Sequence, residues 1–279
     1  MTTVSSALAE AQGKLPATEA RLLLGHVLAR PPVWLLAHDD APLDEGALLA
    51  FASLVARRAG GEPVAYLLGY REFFGRAFEV SPAVLIPRPE TELLVELAQA
   101  NVGAGTPATI LDLGTGSGCI AVTLALELPR ASVTAVDASA IALELAGRNA
   151  QRHGAAVRLL QSDWFSALGG ERFDLVLANP PYIAAADPHL ASGDLRHEPV
   201  AALASGADGL DAIRRIVAGA PAHLAPGGQL WLEHGYDQAA AVRELFSAAG
   251  WTDIAQHRDL AGIVRVSGGR LGGIGGDFR

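Results

Sequence analysis

Leu111-Asp112-Leu113-Gly114-Thr115-Gly116-Ser117-Gly118 runs from a short apolar strand, beginning at Thr109, into a glycine-rich turn, and residues 119–128 behind it have the composition of a buried helix. Glycines between a strand and a helix let backbone approach a ligand closely, and the helix offers free N–H groups there. The spacing is Gly-x-Gly-x-Gly, unlike the Gly-x-Gly-x-x-Gly of pyrophosphate binders. Reading outward, strands are predicted at 133–137, 157–162, 173–178 and 229–233, then near 252–258 and 263–266. Helices are predicted at 138–153, 210–224 and 238–249, the first with Ala138, Ile141, Ala142 and Leu145 on its buried face. Alternating β and α with continuous apolar strands predicts an α/β fold, a parallel sheet covered on both faces. The link between the last two strands is too short for a parallel crossover, so the final strand is expected to run antiparallel. The glycine-rich tail after Ser267 is expected to fray.

Asp137 ends the second strand, 21 residues after Gly116. A carboxylate there can accept both hydroxyls of a ribose and repels a 2′-phosphate, which disfavours NADP. A nucleoside with an amino-acid end, S-adenosylmethionine, fits Gly114, Thr115, Gly116, Ser117, Gly118 and Asp137. Asp163 and Trp164 close the third strand on the same edge, placed to bind the adenine amino group and flank its face; alone, such a pair is more often a cap and a core aromatic.

Asn179-Pro180-Pro181-Tyr182 follows the strand expected beside the first, at the carboxyl edge where such sheets bind ligands. Methylating a planar –NH2 group needs its lone pair aimed along the S–CH3 axis. The Asn179 side-chain oxygen and the Pro180 carbonyl can take its two N–H groups, the prolines stiffen the turn, and Tyr182 offers a flat face. A turn of this composition also leaves strands for purely structural reasons; its phase with the glycine turn favours methyl transfer.

The 279 residues are half apolar and only 18% charged, which excludes a disordered chain. A net charge of −9 argues against unspecific nucleic-acid binding. Cys119, the single cysteine, excludes an intrachain disulfide and reads as a small buried residue rather than a reactive thiol. Eight histidines show no ligand-pair spacing, and no metal is assigned. No leader or membrane-spanning run is visible, so a cytoplasmic protein is expected, and few interface signals make a monomer the expected state. Residues 1–70 read as a small helical domain, with Pro31-Pro32 stopping one helix and Gly60-Gly61 ending another. Residues 71–87 read as a hairpin linker, and 88–279 as the α/β domain. About thirty residues intervene between Tyr182 and the next helix, a length that is usually functional.

Further stretches carry a resemblance: Gly61-Glu62-Pro63-Val64-Ala65-Tyr66-Leu67-Leu68-Gly69, Phe73-Phe74-Gly75, and Leu85-Ile86-Pro87-Arg88-Pro89-Glu90-Thr91-Glu92. With Asn179-Pro180-Pro181-Tyr182, Glu198-Pro199, Gly206-Ala207-Asp208-Gly209-Leu210 and Asp259-Leu260-Ala261-Gly262, they make the chain similar to the HemK/PrmC family over nearly its whole length. The resemblance implies a class I S-adenosylmethionine-dependent methyltransferase fold: Rossmann-like, seven-stranded and mostly parallel, with an antiparallel last strand and an N-terminal helical substrate-recognition domain. It implies methylation of the glutamine N(5) in the Gly-Gly-Gln motif of bacterial class 1 peptide chain release factors. Cofactor contacts are implied at Gly114, Thr115, Gly116, Ser117, Gly118, Asp137, Trp164 and Asn179, and glutamine binding at Asn179, Pro180, Pro181 and Tyr182. Arg88 is read as either a contact to the cofactor or product-side loop or an exposed linker residue, and Glu198 as part of a lid. Two competing readings are a DNA adenine N(6) methyltransferase, against which the acidic balance speaks, and a non-catalytic release-factor-binding adaptor, against which the intact set of polar groups speaks.

Overall fold

The computed structural model describes residues 1–103 and 105–271. They divide into two compact units, one made of Met1–Tyr70 with Ser192–His197, the other of Arg71–Ala191 with the chain from Glu198 onward.

In the first unit, helices α1 (Val4–Ala11), α2 (Ala17–Val27), α3 (Pro32–Ala37), α4 (Glu45–Ala59) and α5 (Val64–Leu68) bury Val4, Leu23, Leu24, Leu35, Phe51 and Leu67 against one another. Thr3 and Ser6 cap α1 reciprocally, and Asp44 accepts the Ala47 N–H at 2.7 Å to start α4. Pro31-Pro32 does more than stop a helix. Pro32 opens α3, in the first turn, where a missing N–H leaves no intrahelical bond unmade. Arg58 on α4 joins Glu19 at 2.7 Å and Asp194 at 2.8 Å, the latter from the Ser192–His197 segment.

The second unit opens with a hairpin, β1 (Tyr70–Phe73) and β2 (Arg76–Glu79). Phe74 and Gly75 both have positive φ (51° and 70°), as a two-residue turn matched to strand twist requires. The Phe74 N–H donates to Glu92 at 2.8 Å. A 3-10 turn, Pro89–Thr91, leads into α6 (Glu92–Val102). Then come β3 (Ala108–Leu113), α7 (Cys119–Glu127), β4 (Ala131–Asp137), α8 (Ala140–His153), β5 (Val157–Gln161) and β6 (Phe173–Ala178). The chain finishes with α9 (Asp211–Gly219), β7 (Leu224–Glu233), α10 (Ala239–Ala248), β8 (Trp251–Arg258) and β9 (Val264–Leu271).

The seven-stranded sheet has the order β5-β4-β3-β6-β7-β9-β8. The pairs from β5 to β7 are parallel, and β9 is antiparallel to both its neighbours, as the short last link demands. Strand alternation divides the apolar residues between two cores. Ile110, Leu175, Leu177 and Trp231 face α6 and α7; Leu111, Leu113, Val176 and Leu230 face α9 and α10. Phe73 and Phe78 of the hairpin are buried in the first of these cores.

Two expectations fail. Ala138 and Ile141 are exposed: Ala138 precedes α8, and Ile141 falls just outside the stripe of Ala142, Leu145, Ala146, Asn149 and Ala150 that α8 buries. The chain after Ser267 does not fray: β9 continues to Leu271, with Gly268 opposite Trp231. A Cβ at Gly268 would lie 2.2 Å from the Leu230 carbonyl oxygen and 2.3 Å from the Trp231 ring, so glycine here allows close packing inside a sheet. Residues 272–279 of that tail lie outside the described residues. No helix among the described residues is long and apolar enough to cross a membrane.

Candidate active site

The turn after β3 has three left-handed glycines, Gly114 (φ 72°), Gly116 (54°) and Gly118 (81°). Gly118 caps α7 where it crosses α8; a Cβ there would lie 3.0 Å from that of Ala146. The Gly114 and Thr115 N–H groups both donate to the Val136 carbonyl at 2.9 Å, tying the turn to β4. β4 delivers Asp137, whose two oxygens are already oriented: Oδ2 accepts the Gly116 N–H at 2.9 Å and Oδ1 the Ser139 N–H at 2.8 Å. A carboxylate oxygen has a second lone pair, so Asp137 keeps one acceptor site on each oxygen for a vicinal diol. Beneath the turn, Asp112 is wholly buried and accepts from the Thr115 hydroxyl at 2.7 Å; burial pushes its carboxyl up to about 7. Burial likewise pushes the Cys119 thiol up to about 12, which leaves it unreactive at neutral pH.

These groups surround a cavity of about 430 Å³, a volume ordinary for a small-molecule site. Every residue expected to hold a cofactor lines it except Gly118, which acts behind the turn through helix packing. Trp164 stands over Gly114, with a φ of 52° that only a tightly held turn retains. Asp163 also lines the cavity, but its carboxylate meets Arg215 at 2.7 Å, an exposed pair that the sequence did not foreshadow.

Of the four residues expected at the reaction site, Asn179 and Pro181 line the cavity; Pro180 and Tyr182 lie outside its lining. Asn179 Nδ2 donates to Thr91 Oγ1 at 2.9 Å, while Asn179 Oδ1 is buried with no hydrogen-bond partner. The Thr91 hydroxyl donates to Glu233 Oε2 at 2.6 Å, and the Tyr182 hydroxyl to Glu233 Oε1 at 3.2 Å. Glu233 is fully buried, which pushes its carboxyl up to about 7 against the pull of the two hydroxyl donors; burial raises the Tyr182 phenol as well. The backbone beyond Tyr182 is pinned by Leu203, whose carbonyl accepts the Tyr182 and Ile183 N–H groups, and by Gln238 Nε2, 2.8 Å from the Tyr182 carbonyl oxygen. Gly209 is forced by the same contact, since a Cβ there would sit 2.2 Å from that oxygen.

Arg88 is neither an exposed linker residue nor a cavity residue. It pairs with Glu198, whose buried side chain also accepts the Ile86 N–H at 2.9 Å. This latch secures the segment whose Pro199, Ala201 and Ala202 form one cavity wall. Thr91 and Glu233 are the polar groups that sequence reading missed. The available signal was a lone carboxylate ending an apolar strand at the sheet's carboxyl edge.

Two family models match: the PrmC N-terminal domain over residues 1–69 and the methyltransferase small domain over residues 89–249. A release factor glutamine methyltransferase of Bordetella pertussis is 55% identical, over 92% of this chain and 96% of its own. The chain belongs to the release factor glutamine methyltransferase family. Members from Burkholderia pseudomallei (56% identity, 93% of each chain) and Salmonella typhimurium (47%, 92% of each) are similar over the same extent. At the level of fold alone, a methyltransferase from Pyrococcus furiosus superposes with a TM-score of 0.55 at 20% identity, over 79% of this chain and 99% of that one. For a family member, the helical domain, the seven-stranded mixed sheet and the cavity at its carboxyl edge are one expected set. The family also sets aside the DNA-methylating and non-catalytic readings.

Proposed function

We propose that the protein transfers a methyl group from S-adenosylmethionine to the side-chain amide nitrogen of the glutamine in the Gly-Gly-Gln motif of class 1 peptide chain release factors. The observation that carries this reading is the buried, unpartnered Oδ1 of Asn179 at the wall of the cavity that also holds the glycine turn and Asp137. A buried acceptor with no partner costs roughly 1–3 kcal/mol, and an incoming amide N–H supplies the missing donor.

The residues fit the cofactor. Asp137 has a free acceptor site on each oxygen for the ribose hydroxyls, Trp164 flanks the adenine, and the open backbone of Gly114, Thr115, Gly116 and Ser117 admits the amino-acid end. S-adenosylmethionine, when bound, supplies a methyl group activated by its sulfonium. Asn179 Oδ1 and the Pro180 carbonyl accept the two N–H groups of the glutamine amide and turn its nitrogen lone pair toward the cofactor. Pro181 stiffens the turn, and Tyr182 flanks the planar amide. Such orientation contributes up to ~7–11 kcal/mol in favourable cases. The helical domain recognises the release factor.

The test is incorporation of labelled methyl from S-adenosylmethionine into a purified release factor, the same factor with its Gly-Gly-Gln glutamine changed to alanine, and duplex DNA. Label in the first alone supports the reading. Label in the alanine-bearing factor or in DNA, or none in any, overturns it.

A further inference from the structure

An amide side chain can be turned by half a rotation, so which end of Asn179 is left unpartnered depends on what holds the other end. Thr91 Oγ1 carries a single proton, committed to Glu233 Oε2 at 2.6 Å. Toward Asn179, 2.9 Å away, it can therefore only accept, and the group it meets must be Nδ2. Glu233 ends the chain of groups. Its two oxygens take the Thr91 and Tyr182 hydroxyls, and above about pH 7, where the carboxyl is ionised, it has no proton to give back. If Asn179 were inverted, Oδ1 would lie lone pair to lone pair against Thr91 Oγ1, and the unpartnered end would carry two N–H donors instead.

We propose that Thr91 and Glu233 are positioning residues that fix the polarity of Asn179, so that the site presents an acceptor to a side-chain amide and turns away a carboxylate. The inference rests on the proposed role of Asn179 and deepens it: the choice of glutamine over glutamate is set by two residues that hold Asn179 from behind. Polarity matters because the two side chains have nearly the same shape. What separates them at this point is whether the group facing Asn179 carries protons or lone pairs. A glutamine –NH2 completes the hydrogen bond that Oδ1 lacks. A glutamate carboxylate sets its own lone pairs against Oδ1, in a buried site where no water relieves the contact. The arrangement is specific, since Thr91 and Glu233 come from parts of the second unit distant in sequence, the 3-10 turn before α6 and the last residue of β7, and both are buried.

Four variants of the full-length protein test this: Thr91→Val, Thr91→Ser, Glu233→Met and Glu233→Gln. Each is measured by single-turnover methylation of the release factor, by cofactor affinity, and by competition from a factor carrying glutamate in place of the methyl-accepting glutamine. Thermal melting monitors the fold. Thr91→Val and Glu233→Met are expected to lower kcat by about 10- to 100-fold, the scale for a misplaced reacting group. KM and cofactor affinity should change little, and the glutamate-bearing factor should become a better competitor. Thr91→Ser keeps the hydroxyl, and Glu233→Gln keeps an oxygen for it, so both should stay close to the wild type in rate and selectivity. Amide NMR gives a readout independent of turnover: the Asn179 Nδ2 protons should exchange slowly in the wild type and in Thr91→Ser, and rapidly in Thr91→Val. The proposal is overturned if folded Thr91→Val keeps wild-type kcat, or loses rate with unaltered selectivity and unaltered exchange. Failure of the wild type to methylate the factor overturns the proposed function instead, and the exchange measurement then decides the relay by itself.

Discussion

Removing the Asp137 carboxylate should cut cofactor affinity without touching the chemistry. Each of its oxygens accepts one backbone N–H, from Gly116 at 2.9 Å and from Ser139 at 2.8 Å, which leaves one acceptor site per oxygen for a ribose diol. Asp137→Ala deletes both charged hydrogen bonds to the ligand and releases the two N–H groups that shape the turn. Water satisfies part of that loss, so the expected net weakening is roughly 1–3 kcal/mol, about 5- to 150-fold in Kd. Asp137→Asn is not a mild alternative. Its carboxamide must set an –NH2 against either the Gly116 or the Ser139 N–H, donor against donor, and should also weaken binding several-fold. Calorimetric titration with S-adenosylmethionine and with S-adenosylhomocysteine measures both variants. Unchanged affinity in the alanine variant would remove Asp137 from the site, and a wild-type preference for NADH would overturn the choice of nucleoside.

Glu198→Ala should destabilise the protein by roughly 1–3 kcal/mol, the cost of donors left without their acceptor, because the partly exposed Arg88 and the Ile86 N–H lose the oxygens they share; urea unfolding with the linear extrapolation measures it, and cofactor affinity should fall as the wall at Pro199, Ala201 and Ala202 loosens. Burial raises the Glu233 carboxyl from its ordinary 4.5 to about 7, so its stabilising contribution is complete below about pH 4.5 and is lost as pH rises through 7. Glu233→Gln should therefore match the wild type in stability near pH 4.5 and exceed it at pH 8, by up to about 3 kcal/mol; a difference independent of pH in paired melting curves would count against a buried carboxylate. Residues 71–279, cut so that Phe73 and Phe78 stay in the core they fill, should bind cofactor yet methylate release factor poorly; turnover equal to that of the full chain would refute a recognition role for the helical domain.

What was legible in the sequence was what is local in the chain. The glycine turn, Asp137 and Asn179 each end a strand with an apolar run before it, so strand alternation alone puts them on one edge of one sheet. The antiparallel final strand followed from a link too short to cross over. What could not be read are contacts that only the folded chain makes. Thr91 and Glu233 are 142 positions apart, and Arg88 and Glu198 are 110 apart. Nothing in either local sequence says that two hydroxyls will converge on one carboxylate. Ile141 was misplaced because helical spacing alone does not mark where the buried stripe ends. The chain after Ser267 was misread because a glycine pair reads as loop unless the Trp231 ring that it packs against is known.

Whether Asn179 Oδ1 aims the substrate nitrogen is decided by single-turnover methylation with Asn179→Ala. The reaction is run at saturating S-adenosylmethionine and release factor, with circular dichroism establishing that the variant is folded. Alanine removes the acceptor and leaves the amide free to rotate. The expected result is a folded protein that retains most of its cofactor affinity and has kcat lowered by about 10²–10³, the scale for losing one preorganised polar contact. A folded variant within about threefold of the wild type, less than the ~1.4 kcal/mol of a tenfold change, would mean that Asn179 does not position the nucleophile.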